Sequence, residues 1–266
     1  MEAVVTLNNV SLNYLAESGE TPALENIDMQ VTKGEFLGIV GPSGCGKSTM
    51  LSMVAGLLLP TTGTVTVCGE KVTGPEGGKS AYMLQEDCLL DWRTIEGNAT
   101  LGLEIMGRLT RETRQLTNAL LKEYGLESFK HLYPRQLSGG MRQRVALVRT
   151  LATEPAICLL DEPFSALDYT SRLTLQDDVW AILRRARVTC ILVTHDIPEA
   201  IAMCDRIIVL TKRPGRIKLE LSVDLNTDAP NPMKKRQAPD FRSYFSRIWE
   251  EMDLSVERSS ALPQQT

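Results

Sequence analysis

Nine consecutive residues, Gly41, Pro42, Ser43, Gly44, Cys45, Gly46, Lys47, Ser48 and Thr49, fit the pattern G-x-x-x-x-G-K-[ST] and could grip a polyphosphate. Three glycines let the main chain fold tightly enough to aim successive N–H groups inward, and a helix beginning at Lys47 adds its positive dipole end. On this reading Lys47 reaches the β- and γ-phosphates of a nucleotide and the Ser48 hydroxyl ligates Mg2+. A glycine-rich turn with a solvated lysine would share the pattern, so the other motifs act as separate tests.

Two further stretches pass. The apolar run Ala156, Ile157, Cys158, Leu159, Leu160 ends in Asp161 and Glu162. At the carboxyl end of a strand beside the phosphate loop, Asp161 suits the Mg2+ side, through water, and Glu162 can polarise a water for in-line attack on the γ-phosphate. Leu137, Ser138, Gly139, Gly140 and Met141 then open a run that reads as a helix. A serine and two glycines at a helix start make a second anion site from free N–H groups, a hydroxyl and a dipole end. Two phosphate grips with one nucleotide's worth of other machinery are resolved most simply if the second serves a nucleotide held by another copy.

The elements that must position these residues follow from periodicity. Residues 35–40 read as a buried strand before the loop and 47–58 as a helix with Leu51, Val54, Ala55 and Leu58 on one face. Weak alternation over 4–14 and 23–31, with a turn at 16–21, predicts an antiparallel sheet; 63–70 and 80–84 read as further strands. From 88 to 153 the pattern is helical, with Leu116, Leu120 and Tyr124 at four-residue spacing before a capping Gly125, and Val145, Val148, Leu151 and Ala152 turned inward on a second helix. Near-continuous apolar runs at 156–160, 189–193 and 206–210 suit parallel strands covered on both faces. The fold class expected is α/β: a P-loop NTPase (RecA-like) core with a largely parallel sheet, an N-terminal antiparallel β subdomain and an inserted α-helical subdomain. Near the end, Asp240 can cap an amphipathic helix over 241–252 that packs on its own domain, and the remaining tail has too little apolar content to fold.

Composition excludes some functions. The 266 residues are 43% hydrophobic, and Lys+Arg 29 against Asp+Glu 33 leaves a formal charge of -4 with no long basic block, so no nucleic-acid partner is expected. Six cysteines with no C-x-x-C pair suggest mostly buried free thiols in a reducing compartment, Cys45 being the exception that a thiol reagent could reach. The opening MEAVVTLNNV lacks a basic segment followed by an apolar core, so no signal peptide is expected. No uncharged apolar run approaches the roughly eighteen residues that cross a bilayer, so at a membrane other chains must do the crossing.

Taken in order, these motifs resemble the nucleotide-binding subunit of an ATP-binding cassette (ABC) transporter, from about residue 4 to about 215. The resemblance implies that Tyr14 stacks on adenine and that Gln85, in YMLQED, contacts Mg2+ and the attacking water. It makes Ser138, Gly139 and Gly140 the family signature, Asp161 the metal-side aspartate and Glu162 the catalytic glutamate. Asp168, in SALD, then lies on the loop that crosses a dimer interface, and His195, in VTHD, touches the γ-phosphate. Met141 stands where the family most often has glutamine. His131 precedes the signature in no motif and reads as structural.

LLDWRTIEGN, LSGGMRQR, KRPGRI and FRSYFSRIWEEM narrow the similarity to importers of the nitrate, sulfonate, taurine and bicarbonate type, with Asp91 where that group usually has proline. This implies an ATPase using ATP and Mg2+, with an ATPase domain over 1–220 (helical part about 88–153) and a C-terminal extension over 221–266. It implies a homodimer, or a pair with a paralogous subunit, closing head to tail over two ATP. Permease subunits are expected to contact 89–101, a solute-binding protein acts indirectly, and the complex sits at the cytoplasmic face of the inner membrane. The solute is recognised by those other chains, so nitrate, an alkylsulfonate, bicarbonate and a pyrimidine precursor all stay open. A DNA-repair cassette would add a long coiled coil, a translation factor usually a second cassette, and an exporter usually fused membrane helices; none is present in these 266 residues.

Overall fold

Strands β1 (Ala3–Ala16) and β2 (Gly19–Thr32) pair antiparallel and bury Val5, Leu7, Val10, Leu12, Ile27 and Met29. Their alternation is weak because its parity changes: a register shift between Leu7 and Val10, with Asn9 at φ 47, moves the inward positions from odd to even numbers. Asparagine tolerates that left-handed backbone. The computed structural model describes residues 2–16, 19–75, 79–165, 167–225, 227 and 231–252. The turn expected at 16–21 therefore lies partly outside the described residues, as does the tail from 253 onward.

Strand β3 (Phe36–Val40) is wholly buried and feeds the phosphate loop and helix α1 (Lys47–Val54). The helix is shorter than its apolar pattern predicts because Gly56, at φ 74, turns the chain away, leaving Leu57 and Leu59 exposed. The single strand expected at 63–70 is a hairpin, β4 (Thr62–Val67) and β5 (Glu70–Lys71). Cys68 and Gly69, at φ 50 and 80, form the two-residue turn that closes it. These strands form one sheet in the order β2-β1-β4-β5.

After β6 (Ser80–Met83) the helical segment runs through α2 (Ile95–Ala99), α3 (Leu101–Ile105), α4 (Arg111–Glu123) and α5 (Gly139–Leu151). Helix α4 ends as expected at Gly125, where Leu126 N–H bonds Leu121 O at 2.7 Å and Gly125 N–H bonds Lys122 O at 3.0 Å, a Schellman cap. Its buried face is Thr117, Leu121 and Tyr124; Leu116 is exposed, so the four-residue spacing that included it misplaced the inward face by about one residue. On α5 all four residues expected inside are buried.

The remaining elements are β7 (Ile157–Asp161), α6 (Tyr169–Arg185), β8 (Thr189–Val193), α7 (Ile197–Met203), β9 (Arg206–Leu210), β10 (Ile217–Ser222), α8 (Pro232–Lys235) and α9 (Phe241–Glu251). The second sheet has the order β10-β9-β3-β8-β7-β6, parallel except for β10 at its edge. Alternate residues of its central strands feed two cores. Leu37, Ile39, Leu159 and Ile191 face α1 and the antiparallel sheet, whereas Phe36, Leu160, Leu192 and Val209 face the helices. Helix α9 sets Ile248 and Met252 into the second core. Asp240 precedes α9 but makes no side-chain cap, contrary to the expectation from its type. No helix among the described residues is long and apolar enough to cross a membrane.

Candidate nucleotide site

The parallel strands deliver the chemistry at their carboxyl ends, which is where open α/β sheets place ligands. Gly41 follows β3, Gln85 follows β6, Asp161 ends β7 and His195 follows β8. Within the loop, Pro42 O accepts from Cys45 N–H at 3.3 Å, and Gly46, at φ 101, precedes α1. Lys47 is 7% exposed, and its ammonium donates to Gly41 O at 2.8 Å and Pro42 O at 3.1 Å. Cys45 is buried under the loop, 3.9 Å from Lys47 Nζ, and burial pushes its thiol up. The expected reagent-accessible thiol is thus corrected: Cys45, Cys158, Cys190 and Cys204 are buried, and the exposed free thiols are Cys68 and Cys88.

Ser48 Oγ donates to Asp161 Oδ1 at 3.1 Å, and Tyr82 Oη donates to Asp161 Oδ2 at 3.1 Å. Burial raises the Asp161 carboxyl, and those two hydrogen bonds oppose the rise. Among the described residues no cluster of three His, Cys, Asp or Glu is arranged to hold a metal. A hydroxyl and a carboxylate side by side instead suit Mg2+, which keeps several waters and completes its shell from phosphate oxygens.

Glu162 occupies the left-handed backbone region at φ 45, an uncommon conformation for a side chain of this kind. Its Oε1 lies 3.0 Å from His195 Nδ1, and its Oε2 accepts from Gln85 Nε2 at 3.3 Å. These three residues line one cavity of about 620 Å3 with Tyr14, Ser43, Gly44, Gly46, Lys47, Ser48, Thr49 and Arg213. Tyr14 is 39% exposed, and its hydroxyl is 3.0 Å from Thr49 Oγ1. Arg213 lies within the stretch KRPGRI, and the sequence gives it no site role. The loop carrying it folds over β2, so that Arg213 Nε donates to Pro22 O at 3.0 Å and the guanidinium lies 6.0 Å from the Tyr14 ring centre. A larger cavity, about 910 Å3, runs along Asp28, Gln30, Glu35, Arg206 and Glu220 and holds none of the motif residues.

Ser138, Gly139, Gly140 and Asp168 do not line the nucleotide cavity. Ser138 starts α5, where its hydroxyl accepts from Met141 N–H at 3.3 Å, and Met141 is half-buried against the helical core. Asp168 caps α6 by accepting from Ser171 N–H at 3.0 Å, and its bonding to Ser171 holds the carboxyl below the usual range. His131 is exposed. Beyond Gln85 the segment is pinned from within: buried Asn98 exchanges hydrogen bonds with Leu90 N–H and O at 2.7 and 3.1 Å, while Arg149 holds the carbonyls of Asp87 and Cys88 at 2.8 Å. Asp91 pairs with Arg135 at 3.1 Å, and the neighbouring Trp92 is 75% exposed.

Known proteins resemble this chain in both sequence and fold. The sequence model of a family described as "ABC transporter" matches residues 24–165. YtlC of Bacillus subtilis, an ABC transporter ATP-binding protein, is 43% identical over 93% of this chain and 95% of its own length. The nitrate import ATP-binding protein NrtD of Synechocystis is 38% identical, with 92% of both chains covered. The bicarbonate transport ATP-binding protein CmpC of Synechococcus elongatus is 40% identical over 92% of this chain and 37% of its own, longer sequence. Among solved structures, a dimeric post-hydrolysis state of the ATP-binding cassette MJ0796 with ADP and Pi superposes with a TM-score of 0.75 and 33% identity, covering 83% of this chain and 99% of that one.

Proposed function

The chain belongs to the ABC transporter family, and from that premise we propose that it is the ATP-hydrolysing subunit of an importer of the nitrate, sulfonate, taurine or bicarbonate type. The observation that carries the mechanism is the separation in the site. One cavity gathers Tyr14, Lys47, Ser48, Gln85, Glu162 and His195, while Ser138, Gly139 and Gly140 lie outside it at the start of another helix. Two copies closing head to tail bring the phosphate loop of one against the signature helix of the other, with Asp168 near the seam.

In this arrangement Tyr14 stacks on adenine, and the loop N–H groups with Lys47 hold the β- and γ-phosphates. Ser48, Gln85 and Asp161 would hold Mg2+, whose bound charge neutralises the phosphates. Glu162 takes a proton from the attacking water, and His195, adjacent at 3.0 Å, orients Glu162 and the γ-phosphate oxygens. Closing moves the permease subunits and hydrolysis releases them.

The permease contact falls on residues 89–101, where Trp92 stands out from a segment braced by Asn98 and Arg149. A solute-binding protein acts through the permease, and the complex lies peripherally at the cytoplasmic face of the inner membrane. The ATPase domain spans 1–220 with its helical part over about 88–153, and 221–266 is an extension. The relatives named for nitrate import and bicarbonate transport support that importer type. The test is Glu162→Gln in the full chain: ATP should still bind and a closed dimer should accumulate in light scattering, whereas turnover at the wild-type rate overturns the role.

A further inference from the structure

Glu199, in the first turn of α7, is 3% exposed, and one of its two carboxyl oxygens is unpartnered. Oε2 accepts from Gln176 Nε2 at 3.0 Å, and Gln176 Oε1 in turn accepts from Arg236 Nη2 at 2.6 Å. A guanidinium only donates, so Gln176 must give its oxygen to Arg236 and its NH2 to Glu199. That fixes Glu199 Oε2 as an acceptor. Oε1 is buried with no hydrogen-bond partner among the described residues.

Burial pushes the Glu199 carboxyl up to about 8; the Asp196 charge adds to the rise, while Thr194, Arg172 and Arg236 oppose it. At neutral pH the protonated form predominates, and Oε1, the oxygen not taken up by Gln176, is the one free to donate.

Glu199 shares a cavity of about 40 Å3 with Glu162, Ser165, Arg172, Thr194 and His195. That volume accommodates a water, which needs roughly 10–15 Å3 and two to four polar partners. Arg172 Nε is a second buried polar atom without a partner. Glu162 and His195 line this same cavity, and Glu162, at φ 45, depends on its surroundings to stay in place.

We propose that Glu199 is a positioning residue for ATP hydrolysis: it donates from Oε1 to a water in this cavity, and that water holds the Glu162–His195 pair from behind. The inference rests on the hydrolytic roles given above to Glu162 and His195. Through Gln176 the same chain of bonds reaches Arg236, so the extension after residue 220 bears on the site by one continuous polar path.

The test measures ATP hydrolysis from pH 6.5 to 9.5 by the full chain with its membrane partners, as wild type, Glu199→Leu and Glu199→Gln. Glu199→Leu should lower kcat at pH 7 by about tenfold with little change in KM, the pattern of a lost contribution to the chemical step. Glu199→Gln keeps an acceptor toward Gln176 and a donor toward the cavity, so it should recover most of that kcat. Wild-type kcat should fall above pH about 8, and the Gln variant should lack that fall. A Leu variant at the wild-type rate, a Gln variant as slow as a folded Leu variant, or a Gln variant that keeps the alkaline fall would each overturn the proposal. Where Leu does not fold, the wild-type and Gln profiles decide alone. A wild type that hydrolyses no ATP, or full turnover by Glu162→Gln, refutes the underlying reading instead; unaffected Glu199 variants of an active wild type refute this inference only.

Discussion

Lys47 Nζ donates to the carbonyl oxygen of Gly41 at 2.8 Å, so the ammonium lies folded across its own loop, held by main-chain dipoles. A polyphosphate entering the loop exchanges those carbonyls for charged oxygens, and charge-assisted hydrogen bonds are about twice as strong as neutral ones. Lys47→Ala should therefore weaken ATP binding by about a hundredfold, or roughly 3 kcal/mol, while leaving the melting temperature nearly unchanged. Fluorescence titration with ATP checks this; wild-type affinity would rule out the loop assignment.

Gly215 braces the same loop from the other side. Its N–H bonds Ala23 O at 2.9 Å and its carbonyl accepts from Glu25 N–H at 3.0 Å, which locks residues 211–216 onto β2. A Cβ at this position would lie 2.1 Å from Cys45 O, a backbone atom of the phosphate loop. Overpacking of this kind costs about 1–3 kcal/mol, so Gly215→Ala should lower the melting temperature by several degrees, at roughly 2–4 °C per kcal/mol for a chain of this size. Because the displaced atom belongs to the loop, ADP and ATP should both bind more weakly. Wild-type melting and binding would show that the loop accommodates the methyl.

What the sequence revealed follows from which constraints are local. Strands β7, β8 and β9 are buried on both faces over nearly their whole length and so announce themselves as near-continuous apolar runs. Strand β10 is a half-covered edge whose signal is only Ile217, Leu219 and Leu221, and Gln176 within the buried face of α6 blurs the stripe formed by Leu175, Val179 and Leu183. The phosphate loop and the Asp161–Glu162 pair are legible because spacing along the chain sets their geometry. Tyr14, Gln85 and His195 needed a family pattern, since each is an ordinary residue until tertiary structure brings it to the cavity. Arg213 appeared only inside the stretch KRPGRI, with no role attached, and Glu199 left no trace. One is placed by a loop folding over β2, and the other is made unusual by burial and by partners on α6 and after α8.

The raised Glu199 carboxyl also makes stability depend on pH. In the unfolded chain it titrates near 4.3 and in the folded protein at about 8. Between those values the native state binds the extra proton, so its contribution is fully present below about pH 4.3 and is lost as pH rises to about 8, with a slope of up to about 1.4 kcal/mol per pH unit. Urea unfolding at pH 5, 7 and 9 should show Glu199→Gln gaining on wild type with each step upward. Parallel pH dependences in the two proteins would contradict burial of a titrating acid there.

Ser138 supplies the most direct test of a shared pocket. Ser138→Arg removes the α5 cap, at a cost of about 1 kcal/mol, and sets a bulky cation where a phosphate would approach the free N–H groups of Gly139 and Gly140. Because Ser138 lies outside the cavity that holds Lys47, the variant should bind ATP on its own loop yet fail to hydrolyse it. Mixing Ser138→Arg with Lys47→Ala chains separates the two geometries. In a head-to-tail mixed dimer one pocket combines both lesions, while the other combines the intact Lys47 of the first chain with the intact Ser138 of the second. Random pairing makes half the dimers mixed, so activity should return to about a quarter of wild type, although neither variant is active alone. A mixture as inactive as its components would place Ser138 and Lys47 on the same nucleotide within one chain.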